Sequence, residues 1–236
     1  MTISFQSIVV AESRIGPYKV ITPLLTSDRL NQKLPFDLFG KADCLQRTGS
    51  FKFRGACNAI LSLPNDDAPI LAYSSGNHAQ AVALNAKLIG RKATLIMPKD
   101  APMIKRQATT SFGASIYLND RENENRVKIG EALQTEMNAH LIPPFNDERV
   151  IAGQGTLGIE IAQQSKKRNF YPSQLIVCCG GGGLIAGTSI SISECFPNCN
   201  IFAAEPEGFD DMKRSLAANK ILSNKPGNHS ICDAII

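Results

Sequence analysis

Two kinds of apolar run alternate along most of this chain. Short runs such as Pro69-Ile-Leu-Ala-Tyr73, Lys92-Ala-Thr-Leu-Ile-Met97 and Ala114-Ser-Ile-Tyr-Leu118 predict buried strands. Between them lie longer stretches of helical character. These are Asn77–Leu88, ended by Gly90, and Pro102–Phe112, with proline in its first turn and Gly113 just past its end. A polar helix is predicted from about Arg121 to Asn138, and a short strand at His140-Leu-Ile142 before Pro143-Pro144. The alternation then resumes with a helix over Gln154–Lys167, a strand over Gln174–Cys179 and a helix over Leu184–Cys195. A strand over Asn200–Ala204 and a helix around Asp210–Asn219 follow. The N-terminal third is less regular, with a strand near Asp37–Lys41 and a helix over Ser50–Leu61. Such alternation predicts an α/β fold, doubly wound, with mostly parallel sheets and helices on both faces.

Composition narrows the function classes. The chain has 236 residues, of which 43% are hydrophobic and 19% charged, enough for one large domain or two smaller ones. A net charge of +4 is spread over scattered basic residues, with Lys166-Lys167-Arg168 the only tight run. No basic stripe interleaved with aromatics is present, so nucleic acid is set aside as a partner. The seven cysteines show no Cys-x-x-Cys pair and read as buried reduced thiols, which implies a reducing cytoplasm. Met1–Val10 lacks the pattern of a signal peptide, and no apolar stretch is long enough for a bilayer, so no membrane is expected.

Ligands of doubly wound folds bind where strands end and helices begin. Gly180-Gly-Gly-Gly183 joins an apolar strand to a helix, and bare backbone N–H groups there suit a phosphate. The bland alternative is a tight turn. A dinucleotide fingerprint, Gly181-x-Gly183-x-x-Ala186 with Glu205 after the next strand, is a rival. It sits late in the chain and leaves other polar loops without a role. Tyr73-Ser-Ser-Gly-Asn-His78 also joins strand to helix, and its Ser75 and Asn77 offer donors and acceptors for a carboxylate and a ring oxygen. As a bland alternative, Ser and Asn cap the helix and His78 is structural. Thr48-Gly-Ser-Phe-Lys52 places an amine at a helix start, where the helix dipole disfavours the ammonium form. Alone, Lys52 reads as an ordinary surface residue. An imine-forming lysine, a phosphate loop and a carboxylate loop together are what pyridoxal phosphate chemistry on an amino acid requires.

At these residues the chain resembles the serine/threonine dehydratase and serine racemase group of fold-type II pyridoxal-phosphate enzymes. The resemblance runs from about residue 8 to the end. It is carried by Leu45-Gln-Arg-Thr-Gly-Ser-Phe-Lys-Phe-Arg-Gly-Ala56, Ser74–His78, Met97-Pro-Lys-Asp-Ala-Pro102, Ile151-Ala-Gly-Gln-Gly-Thr156, Gly180–Gly183 and Ala204-Glu-Pro206. It implies a two-domain, tryptophan synthase beta-like architecture. Residues 1–65 and 140–236 would form a large cofactor-binding domain and 66–139 a small one. Lys52 would be the Schiff-base lysine and general base, with Phe51 against the pyridine ring and Asn77 at the phenolic oxygen. Gly180, Gly181, Gly182 and Gly183 would cradle the phosphate. Ser75 and His78, with Arg126, would bind the substrate carboxylate, and Ser75 serves in racemases as the opposite-face acid/base. Glu205, Phe209 (through its carbonyl) and Asp211 match positions that hold a divalent cation, Mg or Ca, in some members. The implied reaction is dehydration and deamination of serine or threonine to a 2-oxo acid and ammonia, with serine racemisation as the alternative. A small amino acid is the implied substrate, and a homodimer the implied assembly of a full-length form.

The chain also departs from the group's pattern. Ala79 follows His78 where the group has glycine, and Lys41-Ala-Asp43 shortens the usual Lys-x-Glu. Ser230-Ile-Cys-Asp-Ala-Ile-Ile236 matches a mid-domain strand or turn, so the resemblance implies a truncated chain. Such a chain is expected to expose apolar surface and to be less stable than a full relative. A non-catalytic homologue is the further alternative. The sequence does not choose among β-hydroxy amino acids.

Overall fold

The computed structural model describes residues 3–224 and 230–232, so residues 233–236 of the expected strand or turn lie outside the described residues. The chain opens with helix α1 (Phe5–Ile15), strand β1 (Leu24–Thr26), helix α2 (Asp28–Asn31) and strand β2 (Phe39–Lys41). Two 3-10 turns at Asp43–Leu45 and Arg47–Gly49 lead into α3 (Lys52–Leu61). Strand and helix then alternate through β3 (Ile70–Tyr73), α4 (Asn77–Leu88), β4 (Ala93–Pro98), α5 (Met103–Ser111), β5 (Ser115–Asn119) and α6 (Arg126–Met137). The last elements are β6 (His140–Leu141), α7 (Glu148–Lys167), β7 (Gln174–Cys178), α8 (Gly183–Cys195), β8 (Asn200–Ala204) and α9 (Asp211–Ala218).

A parallel sheet in the order β5-β4-β3-β6 forms the centre of one half. Alternation along β3 and β4 splits their side chains between two layers. Ile70, Ala72, Leu95 and Met97 meet the alanine-rich face of α4. Leu71, Tyr73 and Ile96 meet Ile129 and Leu133 of α6. Because β6 pairs with β3, this sheet takes an edge strand from just beyond residue 139. A second parallel pair, β7 and β8, packs one face through Val177, Leu175 and Ile201 on α7 and α8. Its other face carries Ile176 and Phe202, 69% and 48% exposed. Strands β1 and β2 pair antiparallel.

Helix α7 is the spine between the halves. It begins at Glu148, six residues before the expected start, because the Asp147 carboxylate accepts from the N–H groups of Arg149 and Val150. Its glycines allow backbone contact on two sides. A Cβ on Gly153 would lie 2.6 Å from the Arg54 carbonyl oxygen of α3, and one on Gly155 would lie 2.8 Å from that of Gly187 in α8. Helix α1, also unexpected, starts on a capping box between Ser4 and Ser7 and buries Ile8, Ala11 and Ile15. Helix α6 starts later than expected, at Arg126, because Asn125 caps it.

A buried ion cluster joins these parts. Arg54 has no solvent exposure and makes a two-pronged contact with Asp43, Nε to Oδ2 and Nη2 to Oδ1, both 2.8 Å. Its Nη1 donates to Glu160 of α7 at 2.9 Å. Glu160 also receives Lys19 at 2.8 Å, Lys41 at 2.7 Å and the Thr22 N–H at 2.7 Å. Lys41 and Asp43, the shortened motif, are thus structural members of this cluster. Burial works against the Glu160 carboxylate, but Arg54, Lys19 and Lys41 outweigh it and hold its pKa at about 2.

Removing one member of such a cluster strands its partners in a dry interior. Arg54→Met is expected to destabilise the chain by about 3–5 kcal/mol, read from the urea midpoint. Since Glu160 titrates lower in the folded state than its ordinary 4.5, its stabilising contribution should be lost as pH falls from 4.5 towards about 2. Glu160→Gln should flatten the pH dependence of the urea midpoint in that window.

Candidate active site

Lys52 is the first residue of α3, and a tight backbone turn delivers it. Thr48 and Gly49 both have left-handed backbone angles, φ 60° and φ 70°, the first a strained choice for a β-branched residue. The lysine amine donates to the Pro144 carbonyl at 2.8 Å and sits 5.3 Å from the centre of the Phe51 ring. Burial lowers its pKa from the ordinary 10.5 to about 8, the nearby Cys178 thiol acting in the opposite sense. A sizeable neutral fraction is therefore present near neutral pH, as an imine-forming lysine needs.

The segment Ile142–Phe145, between β6 and α7, connects all three loops. Its Ile142 carbonyl meets His78 Nε2 at 2.9 Å and its Pro144 carbonyl meets Lys52. The Phe145 ring lies against Gly181, where an added Cβ would strike Cδ1, and a Cβ on Gly183 would lie 3.2 Å from Phe145 Cβ. Sequence reasoning used the two prolines only to end a strand. Prolines lack N–H groups, so this stretch offers mainly carbonyls, and its double proline was the available signal.

Two of the four glycines are therefore bare because Phe145 packs on them, and Gly182 has φ +78°, which favours glycine. The anion reading rests on what remains. Helical bonding starts with the Ala186 N–H on the Gly182 carbonyl, so the N–H groups ahead of it have no carbonyl within the helix. That helix start, whose four glycines carry no side chains of their own, fits a phosphate. Cys178 and Cys179 just before it face opposite ways, one exposed and one buried.

The Ser74–His78 loop is carried by β3 into α4. Ser74 Oγ accepts from the Gly76 N–H at 3.1 Å, and Ser75 and Asn77 are half-buried. His78 is 1% exposed. Burial first, then the Lys52 charge, lowers its pKa to about 3, so the ring is neutral. With Nε2–H donated to Ile142, its Nδ1 is a buried acceptor with no partner. The imidazole thus has no second N–H to give a carboxylate. Arg126, at the start of α6, lies 5.9 Å over the ring of Tyr73, next to Ser74.

The expected cation residues are used otherwise. Glu205 accepts from the Met212 and Lys213 N–H groups of α9 at 2.9 and 3.0 Å, and Asp211 accepts from Asn224 at 2.9 Å. Phe209 is a buried apolar residue, 4% exposed. Among the described residues no group of three or more His, Cys, Asp or Glu side chains is placed to hold a metal. Both carboxylate oxygens of Glu205 thereby accept from N–H groups of α9.

Residues 16–236 match the family model described as pyridoxal-phosphate dependent enzyme. The chain belongs to this family. Among curated members, an L-threo-3-hydroxyaspartate ammonia-lyase of Saccharomyces cerevisiae is 40% identical over 221 residues, 93% of this chain and 67% of that protein. A serine racemase of Arabidopsis thaliana is 39% identical, over 97% of this chain and 68% of that one. Among solved members, a threonine deaminase of T.th. superposes with a TM-score of 0.92 at 42% identity, covering 98% of this chain and 74% of that chain. Maize serine racemase gives 0.93 at 37% identity, with 100% and 70% covered. The expected α/β, fold-type II architecture and the expected group are both shown. Among the described residues no helix is long and apolar enough to cross a membrane.

Gly181→Ala in this family member should force the Phe145 ring aside and cost about 1–3 kcal/mol. Phe145→Leu added to it should recover part of that loss, measured by urea unfolding.

Proposed function

We propose that this chain catalyses pyridoxal-phosphate-dependent dehydration and deamination of a small β-hydroxy amino acid to a 2-oxo acid and ammonia. The observation that carries the reading is Lys52, a buried amine lowered to about 8 and linked through Ile142–Phe145 to both helix-start loops. The names of its relatives, ammonia-lyase and threonine deaminase, support the same chemistry. Because the chain spans 67% to 74% of the relatives cited, the activity of the whole protein is part of the proposal. So are the division into domains at 66–139 and either side of it, and a homodimer.

Gly180–Gly183 would hold the cofactor phosphate, Phe51 would face its ring and Asn77 its phenolic oxygen. Bound pyridoxal phosphate supplies an aldehyde carbon and a ring that withdraws charge from the substrate α-carbon. Lys52 Nζ, in its neutral form, takes the α-proton. Burial raises the neutral fraction of that amine, and the Pro144 carbonyl holds it in place. Loss of the β-hydroxyl and hydrolysis then give the 2-oxo acid and ammonia. Ser75 supports a second reading, because a hydroxyl in this loop can return a proton from the other side, and several relatives are serine racemases.

The deciding experiment mixes the chain with pyridoxal phosphate, reduces it with borohydride and maps the labelled peptide. Label on Lys52 is expected, with a rate of labelling that rises through about pH 8. No label, or label spread over surface lysines, would sink the proposal. Lys52→Ala should lower 2-oxo acid release from serine or threonine by about 10²–10⁴-fold. Ser75→Ala should remove racemisation and spare elimination if the second reading holds.

A further inference from the structure

Lys52 and the glycine loop stand at the starts of two different helices, α3 and α8, far apart in the chain. Two consecutive residues touch both. The Pro144 carbonyl accepts from Lys52 Nζ at 2.8 Å, and the next residue, Phe145, meets the loop. An added Cβ on Gly181 would lie 2.6 Å from Phe145 Cε1, with Cγ and Cδ1 closer still. One on Gly183 would lie 3.2 Å from Phe145 Cβ, 3.3 Å from its Cα and 3.4 Å from its carbonyl oxygen. Ring and backbone of one half-buried residue thus pack on two of the four glycines.

The contact is anchored from behind as well. The Phe145 carbonyl accepts from the Asp147 N–H at 3.0 Å, and Asp147 caps α7, the helix against which α3 and α8 both pack. Glycine has more backbone freedom than any other residue, so a run of four needs outside contacts to hold one conformation. Phe145 supplies them at Gly181 and Gly183. A ligand attached at two ends gains affinity only where its attachment points are correctly spaced. Pyridoxal phosphate would be such a ligand, with Lys52 at its aldehyde and the glycine loop at its phosphate.

We propose that Phe145 is a positioning residue whose ring fixes the glycine loop at the spacing from Lys52 that a doubly attached cofactor needs. This rests on the reading of function given above. Phe145 acts through Gly181 and Gly183, and the Pro144 carbonyl beside it sets the other end of the span by holding the amine. Losing the ring leaves the loop able to take a phosphate, but no longer at a fixed distance from Lys52.

Two probes separate spacing from simple binding at the loop. Pyridoxine 5′-phosphate has an alcohol in place of the aldehyde, so it engages the loop without bonding to Lys52. Pyridoxal 5′-phosphate engages both ends, its aldehyde condensing with Lys52 Nζ with loss of one water. Each is titrated into the parent chain, Phe145→Ala and Phe145→Tyr. In Phe145→Ala, affinity for pyridoxal phosphate, read from the borohydride label on Lys52, is expected to fall about tenfold or more. Affinity for pyridoxine phosphate, read by calorimetry, should change little. Phe145→Tyr, which keeps a ring, should restore the first without altering the second. Equal weakening of both probes, or of neither, overturns the positioning role, because a ring that merely packs would not separate them. Should Phe145→Ala fail to fold, Phe145→Leu takes its place. A parent chain that takes no label on Lys52 overturns the underlying reading, and this role with it.

Discussion

Arg54 is fully buried, and a guanidinium cannot lose its charge there, so the surrounding chain must supply anions. Asp43 comes from the turn that leads to the lysine loop, and Glu160 from α7. Lys19 and Lys41 close the cluster around Glu160. Burying these ions is costly, so the arrangement earns its place less by net stability than by allowing few alternatives. It ties the N-terminal segment, the approach to Lys52 and the spine helix into one geometry. Lys52 begins the helix that carries Arg54, so the position of the reactive amine follows from how that charge is compensated.

Close backbone packing does the rest. Glycines on α7 let α3 and α8 approach until carbonyl oxygens would touch any added Cβ. One helix thereby sets the spacing between the lysine on α3 and the glycine loop that opens α8. The Ile142–Phe145 segment then spans the gap, binding His78 and Lys52 through carbonyls and covering Gly181 with an aromatic ring. The lowered pKa of Lys52 is chiefly a consequence of the burial that this enclosure produces.

Much of this was legible in the chain. Helix α4 and strand β8 fall on their expected residues, because a strong apolar period is bounded there by clear turn signals. Helix α1 escaped notice although Ile8, Ala11 and Ile15 are spaced for one face, since its cap is a serine pair rather than the usual acidic partner. The first turns of α7 were missed because the cap at Asp147 stands well ahead of the glycine-rich stretch. In the site, residue types marked Lys52 and both loops. Residue type alone did not show that the His78 ring meets a backbone carbonyl or that Glu205 accepts from a helix start.

By itself the sequence determined the fold class, the family and the three segments that meet at the candidate site, because these depend on periodicity and on glycine, serine and lysine at strand–helix junctions. Tertiary structure alone decided which nitrogen of His78 is occupied, how far burial lowers Lys52 and why Gly181 must be bare. The physical reason is range. Periodicity and capping act within a few residues, whereas desolvation and ion pairing arise between groups far apart in the chain, as with Arg54 and Glu160, and appear only once packing has brought them together.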